Sequence, residues 1–229
     1  MISVIISAYK GEFYIEEAIR SVLCQLSFDD EIIVSDEKSG SATSRIVSRI
    51  ASEDSRVILV EGKTGLTENT VNALRHCKGD RIFICSQSDV WLPDKIKRVN
   101  EKFDEGADLV LHNAYITDEA LNITEYSCFS SYNIKKGIFS NIRENTYFGP
   151  LMAFDRKMLR FIMPIPKHIP HYDQWIGIIC RIFGTVMLAD APLAYHRQLE
   201  EREKSSEKEL KLNRRYLISK LYKRVFFRL

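Results

Sequence analysis

The feature that most narrows the fold of this chain is a repeated unit in its first 85 residues: a short apolar run followed by an amphipathic stretch. Residues 3–7, 31–35, 56–60 and 81–85 are runs of the kind that read as strands covered on both faces of a sheet. Between them, Ile15, Ala18, Ile19, Val22 and Leu23 follow the i, i+3, i+4, i+7 spacing of a helix packed by one face. Ile46, Val47, Ile50 and Ala51 mark a second helix, and a short third one is expected at about 71–77. Strand and helix in strict alternation imply crossovers between parallel strands, hence an α/β fold: a single Rossmann-like domain whose mostly parallel central sheet is flanked by helices.

In such sheets ligands sit beyond the carboxyl ends of the strands. Three strand ends therefore matter: Ser7, Ala8 and Tyr9; Ser35 and Asp36, opening a polar turn at 36–41; and Ser86, Gln87, Ser88 and Asp89. Further along, Pro93 opens a helix and 107–112 reads as another strand. Residues 113–147 lack periodicity and read as loops over the cleft. Order resumes at 149–154, followed by a link containing Pro164, Pro166 and Pro170, a helix from about 173 to 183, and closing strands at 186–188 and 193–195.

A chain of 229 residues, 45% of them hydrophobic, suffices for one core, and the expected division is a domain at 1–198 and a basic amphipathic helical tail at 199–229. In the tail Leu217, Leu221 and Phe226 interleave with cations. This fits an interfacial helix drawn to anionic lipid, a solvated basic helix, or a docking helix for a second subunit. With 33 basic against 31 acidic residues, nothing suggests a nucleic-acid partner. Five irregularly spaced cysteines form neither a disulfide framework nor a C-x-x-C zinc pattern. Together with a start lacking a basic region and no run of membrane-spanning length, they lead to the expectation of a cytoplasmic protein, peripheral at most on the inner face of the cell membrane.

Six segments, in order, resemble the inverting glycosyltransferases of family 2, which have the GT-A fold. They are Val4 to Tyr9 (V-I-I-S-A-Y), Ile32 to Glu37 (I-I-V-S-D-E), Gly79 to Ile82 (G-D-R-I), Gln87 to Ile96 (Q-S-D-V-W-L-P-D-K-I), Gly149 to Phe154 (G-P-L-M-A-F) and His171 to Trp175 (H-Y-D-Q-W). Tyr195-His196-Arg197-Gln198 resembles the family's closing motif, so the similarity spans about residues 2–198. The closest likeness is to members that build bacterial surface polysaccharides, including rhamnosyltransferases. The resemblance implies transfer, with inversion, of a sugar from a UDP- or dTDP-sugar to a hydroxyl of a glycan, lipid-linked in O-antigen or capsule synthesis.

By that resemblance Ser7, Ala8, Tyr9, Glu12, Asp36, Asn69, Gln87 and Ser88 hold the donor, Asp89 and His196 hold a weakly bound magnesium or manganese ion, Asp173 is the base, and Gly149 and Trp175 meet the acceptor. The chain departs from the family at Ser86 and Ser88, where related sequences carry aspartates.

Physical chemistry supports these roles and supplies alternatives to each. A diphosphate leaving group needs a divalent metal or cationic donors, and magnesium takes many of its ligands from water and phosphate, so few protein ligands suffice. In-line displacement needs a base for the acceptor hydroxyl, which a carboxylate provides. Yet Asp89 and Asp173 each stand where an aspartate caps a helix, Asp36 where it closes an Asx turn, His196 fits a surface histidine, Glu12 and Asn69 fit helix-start positions, and Trp175 fits a core. The rival functional reading is a non-catalytic sugar-nucleotide-binding homologue with a degenerate metal motif. A sugar nucleotidyltransferase would show a glycine-rich loop after the first strand, and Ser7 to Gly11 lacks one.

Overall fold

The computed structural model describes residues 1–37, 42–167, 169, 171–199 and 207–227. Strands β1 (Ile2–Ala8), β2 (Glu31–Asp36), β3 (Val57–Glu61) and β4 (Arg81–Ser86) alternate with helices α1 (Ile15–Leu23), α2 (Ala42–Glu53) and α3 (Leu66–His76). The chain continues through β5 (Val90–Trp91), α4 (Lys95–Asp104), β6 (Leu109–Thr117), β7 (Ile123–Glu125), α5 (Cys128–Ser131) and α6 (Ile138–Arg143). A 3-10 turn at Gly149–Leu151 leads into β8 (Met152–Asp155), followed by α7 (Leu159–Ile162), α8 (Tyr172–Phe183), β9 (Val186–Arg197) and α9 (Glu207–Phe227).

The sheet order is β3-β2-β1-β4-β8-β6-β9-β5, with β7 on β6. β1 is parallel to β2 and β4, and β6 to β9; β8 runs antiparallel between β4 and β6. Most strands thus run one way, as expected, with β8 reversed near the middle and the short strands β5 and β7 reversed against β9 and β6.

Alternation along the strands divides the interior in two. Val4, Ile6, Ile32, Val34, Phe83 and Val110 point to one face, which α1, α2 and α4 cover with Ile15, Ile19, Val47, Ile50, Val99 and Phe103. Ile5, Ile33, Ile82, Ile84, Leu109 and Leu111 point to the other, under α3 and α8. Each such side chain, buried fully, contributes about 1.5–3 kcal/mol.

The structure alters several expectations. β6 continues to Thr117, and the two closing strands are one 12-residue strand, β9, whose register shifts opposite Asn113. The stretch at 113–147 is not all loop: it holds β7, α5 and α6, whose own residues are too few to show periodicity. Segment 149–154 supplies β8, too short at four residues to read as a strand. The tail helix shares the second core, since Leu217 and Leu221 are buried in it, so these two residues do not face lipid. Of the expected polar turn, 38–41 lie outside the described residues, as do Pro170, 200–206 and 228–229.

Gly177 in α8 faces the buried ring of Tyr147, which a methyl group there would overlap. Alanine gains about 1 kcal/mol in helix propensity, but overpacking costs about 1–3 kcal/mol. Gly177→Ala is therefore expected to lower stability by up to about 2 kcal/mol net, read as a lower urea midpoint with m unchanged; a midpoint equal to or above wild type would contradict this packing.

Candidate active site

A cleft of about 980 Å³ opens at the carboxyl ends of β1 and β4, and its walls include Ser7, Ser86, Asp173, His196 and Arg214. Sites for drug-sized ligands have volumes of this order.

The strand ends are held by polar side chains. Asn69 of α3 donates to the Ala8 and Ser35 carbonyls at 3.3 and 2.8 Å, while its Oδ1 accepts from Ser35 Oγ and the Lys63 amide at 2.5 and 3.2 Å. Asn69 is thereby committed to joining β1, β2 and α3, a structural role in place of the expected donor contact. Gln87 pairs with the backbone of Tyr9 in both directions, at 2.8 and 2.9 Å, tying the β1 loop to the end of β4. Glu12 accepts from Thr43 Oγ1 at 3.1 Å, and Thr43 Oγ1 accepts the Gly11 amide at 2.9 Å, so it fastens the same loop to α2. Ser7 Oγ lies 2.9 Å from Thr70 Oγ1 on the cleft wall. Ala8 and Asp36 are buried at the neighbouring strand ends, and Tyr9 is exposed.

Asp89 and His196, 107 residues apart, meet because β5 pairs with β9. His196 Nδ1 donates to Asp89 Oδ1 at 2.9 Å. Asp89 is 1% exposed and caps no helix; α4 begins after Asp94. A buried carboxylate on Nδ1 fixes the tautomer that leaves Nε2 as the free nitrogen, the arrangement found behind many metal-binding histidines. The ring is further held by the edge of Phe148, with centroids 4.7 Å apart. Arg197, nearly buried, fastens the loop from the other side: it donates to the Ser88 carbonyl at 3.0 Å and to Glu17 at 2.8 Å. Ser86 and Ser88 hydroxyls pair at 3.1 Å. Among the described residues no group of three or more His, Cys, Asp or Glu is placed to hold a metal. The fit to a divalent ion thus rests on His196 backed by Asp89, with neutral serines beside them.

Asp173 lies in the first turn of α8 and faces the cleft. Its carboxylate accepts from Asn145 Nδ2 at 2.9 Å, the Gly149 amide at 3.2 Å and the Gln174 amide at 2.8 Å. Desolvation raises its pKa above the ordinary aspartate value, against the opposing pull of His171 and these three donors. The Gln174 bond is partly the helix-start role foreseen as an alternative, but the other two come from a separate segment. Gly149 reaches Asp173 because a side chain there would overlap the Tyr172 hydroxyl. Gly149 accordingly orients the carboxylate. Trp175 is a correction: it is wholly buried, donates to the Ile162 carbonyl at 2.9 Å and cannot stack on an acceptor.

Sequence reasoning missed Asn145, Arg197 as a clamp, and Arg214. It also missed that Lys95, inside the W-x-P-x-K run, is buried with its ammonium 3.9 Å from the Trp91 ring centroid and no hydrogen-bond partner among the described residues.

Comparison with known proteins matches this architecture. The sequence model for glycosyl transferase family 2 covers residues 3–162, and the chain belongs to that family. It is 29% identical over 129 residues to the GalNAc(5)-diNAcBac-PP-undecaprenol beta-1,3-glucosyltransferase of Campylobacter jejuni, covering 55% of this chain and 42% of that protein. An uncharacterized glycosyltransferase of Nostoc sp. is 26% identical over 207 residues, 86% of this chain and 64% of its own length. The chain thus spans under two thirds of either relative. Among solved structures, S. aureus TarS 1–349 with UDP-GlcNAc superposes with a TM-score of 0.71 at 17% identity, over 95% of this chain and 65% of that one. Glucosyl-3-phosphoglycerate synthase from Mycobacterium tuberculosis, in complex with Mn2+, UDP and phosphoglyceric acid, gives 0.60 at 20%, over 98% and 78%. These likenesses establish the GT-A fold.

Burial pushes the Lys95 ammonium down to about 7. Between that value and the unfolded value near 10.5 the unfolded chain holds the extra proton, so Lys95 contributes stability that rises with pH. Lys95→Met is expected to stabilise the protein by roughly 1–3 kcal/mol at pH 7, the gain shrinking towards pH 9 in urea melts. A gain that grows with pH would contradict the assignment.

Proposed function

We propose that the chain transfers a sugar from a nucleoside-diphosphate donor, a UDP- or dTDP-sugar, to a hydroxyl of a lipid-linked glycan with inversion, in bacterial surface-polysaccharide assembly. The observation that carries the reading is the Asp173 carboxylate, oriented by Asn145 and the Gly149 amide in the same cleft that receives His196. The named relative in Campylobacter jejuni acts on an undecaprenol-linked glycan, and another, in Bacillus subtilis, is a putative teichuronic acid biosynthesis glycosyltransferase 29% identical over 100 residues.

In this reading Asp173 takes the proton of the acceptor hydroxyl as the new glycosidic bond forms and the nucleoside diphosphate departs. Asn145 and Gly149 keep the carboxylate aimed while leaving it basic. His196, backed by Asp89, would hold a magnesium or manganese ion, whose chemistry is to neutralise charge developing on the diphosphate. Ser7 and the backbone around Tyr9 and Asp36 form the donor end. The outward face of α9 presents Ile218, Tyr222 and Phe226, which are exposed, beside exposed Arg215 and Lys223. That face supports peripheral attachment to anionic lipid on the cytoplasmic side of the membrane. No helix among the described residues is long and apolar enough to cross a membrane.

The test is release of nucleoside diphosphate from UDP- and dTDP-sugars in the presence of a polyprenyl-diphosphate-linked glycan. Asp173→Asn is expected to lower kcat at least 100-fold, roughly the contribution of a general base, with nucleotide affinity unchanged; unchanged turnover would remove Asp173 from the mechanism. Because the base works deprotonated and burial raises its pKa, activity should fall on acidification already above the usual aspartate range. Asn145→Ala removes a donor that favours the charged form, so the acid limb of kcat/KM should move to higher pH. A limb that moves lower, or stays, would contradict this role of Asn145.

A further inference from the structure

We infer that Arg214 is a phosphate-binding residue of the cleft, delivered by α9 rather than by the α/β core. The inference deepens the transferase reading and rests on it only for the source of the phosphate.

Helix α9 is latched by its inward face. Leu217 and Leu221 are buried in the second core. Arg224 donates to the Met163 and Pro164 carbonyls at 2.7 and 2.6 Å and lies 5.7 Å from the Trp175 ring centroid. The Tyr216 hydroxyl bonds the Lys167 carbonyl. Positions 214, 217, 221 and 224 share one side of a helix, so the latch at Leu221 and Arg224 carries Arg214 to the cleft two to three turns earlier.

There Arg214 joins Ser7, Ser86, Asp173 and His196 on the cleft wall. Its Nε is buried without a hydrogen-bond partner among the described residues. No hydrogen bond or ion pair joins it to Asp173, which accepts from Asn145, Gly149 and Gln174. The adjacent Arg215 points to solvent, and Arg224 is occupied by carbonyls. A guanidinium that keeps an N–H buried and unmade at the wall of an open cleft is matched by an anion with several acceptor oxygens, and two phosphoryl oxygens fit its planar fork. Two sources share that chemistry: the donor diphosphate, and the diphosphate of a lipid-linked acceptor.

Calorimetric titration in the presence of Mg2+ separates them, using inorganic pyrophosphate and whichever of UDP, dTDP and GDP the wild-type chain binds. Arg214→Gln is compared with wild type, with Arg214→Lys, and with Arg98→Gln, which removes an exposed charge on α4. The expected result is a loss of affinity of about tenfold or more for pyrophosphate in Arg214→Gln, a smaller loss in Arg214→Lys and none in Arg98→Gln. A parallel loss for the nucleoside diphosphate assigns Arg214 to the donor, whereas an unchanged nucleoside diphosphate affinity assigns it to the acceptor side. If the wild type binds pyrophosphate but no nucleotide, the transferase reading falls while Arg214 stands or falls by its own variant. Wild-type affinity for both ligands in Arg214→Gln, or binding of neither by the folded wild type, overturns the inference.

Discussion

A parallel sheet cannot close its strand ends with hairpins, so the backbone groups left at its carboxyl edge need other partners, and Asn69 is the main one here. Three of its hydrogen bonds join the ends of β1 and β2 to the start of α3, and a fourth holds the Lys63 amide in the loop after β3. Gln87 performs a similar service between the β1 loop and β4. With those ends pinned, Ser7 and Ser86 stand side by side and the cleft acquires a fixed floor. Each buried carbonyl left unpaired would cost roughly 1–3 kcal/mol, enough to justify committing an asparagine that a ligand site could otherwise use.

The second half of the chain builds the opposite wall from that floor. β8 enters antiparallel between β4 and β6, and the turn before it brings the Gly149 amide to Asp173. β9 then returns His196 and Arg197 to the Ser88–Asp89 loop, so that one strand both orients the histidine and clamps the loop it meets. Asp173 and His196 thus line the same cleft, with Asp89 buried behind the histidine ring. The serines at 86 and 88 leave this corner with less negative charge than aspartates at those positions would give it.

The first four strands and their helices were legible because the apolar runs are covered on both faces, successive side chains entering one core and then the other. Asp89, His196 and Asp173 were legible as polar residues at strand or helix ends. Asn145 was not, because the segment around it contains only short helices, and Arg214 was not, because its neighbours Arg215, Lys220 and Lys223 look the same in sequence. Only the inward turn of α9, set by Leu217, Leu221 and Arg224, distinguishes it. Trp175 beside Asp173 shows the converse: an aromatic next to a candidate base reads as a sugar platform, yet helical geometry sends it into the core.

The most direct measurement of the central claim is the affinity of UDP, dTDP and GDP for the wild-type chain and for His196→Ala, with and without Mn2+. The account predicts that one nucleotide binds the wild type, that Mn2+ tightens it, and that His196→Ala loses the metal effect. Folded wild-type protein that binds none of the three, with Mn2+ or without it, would contradict the account.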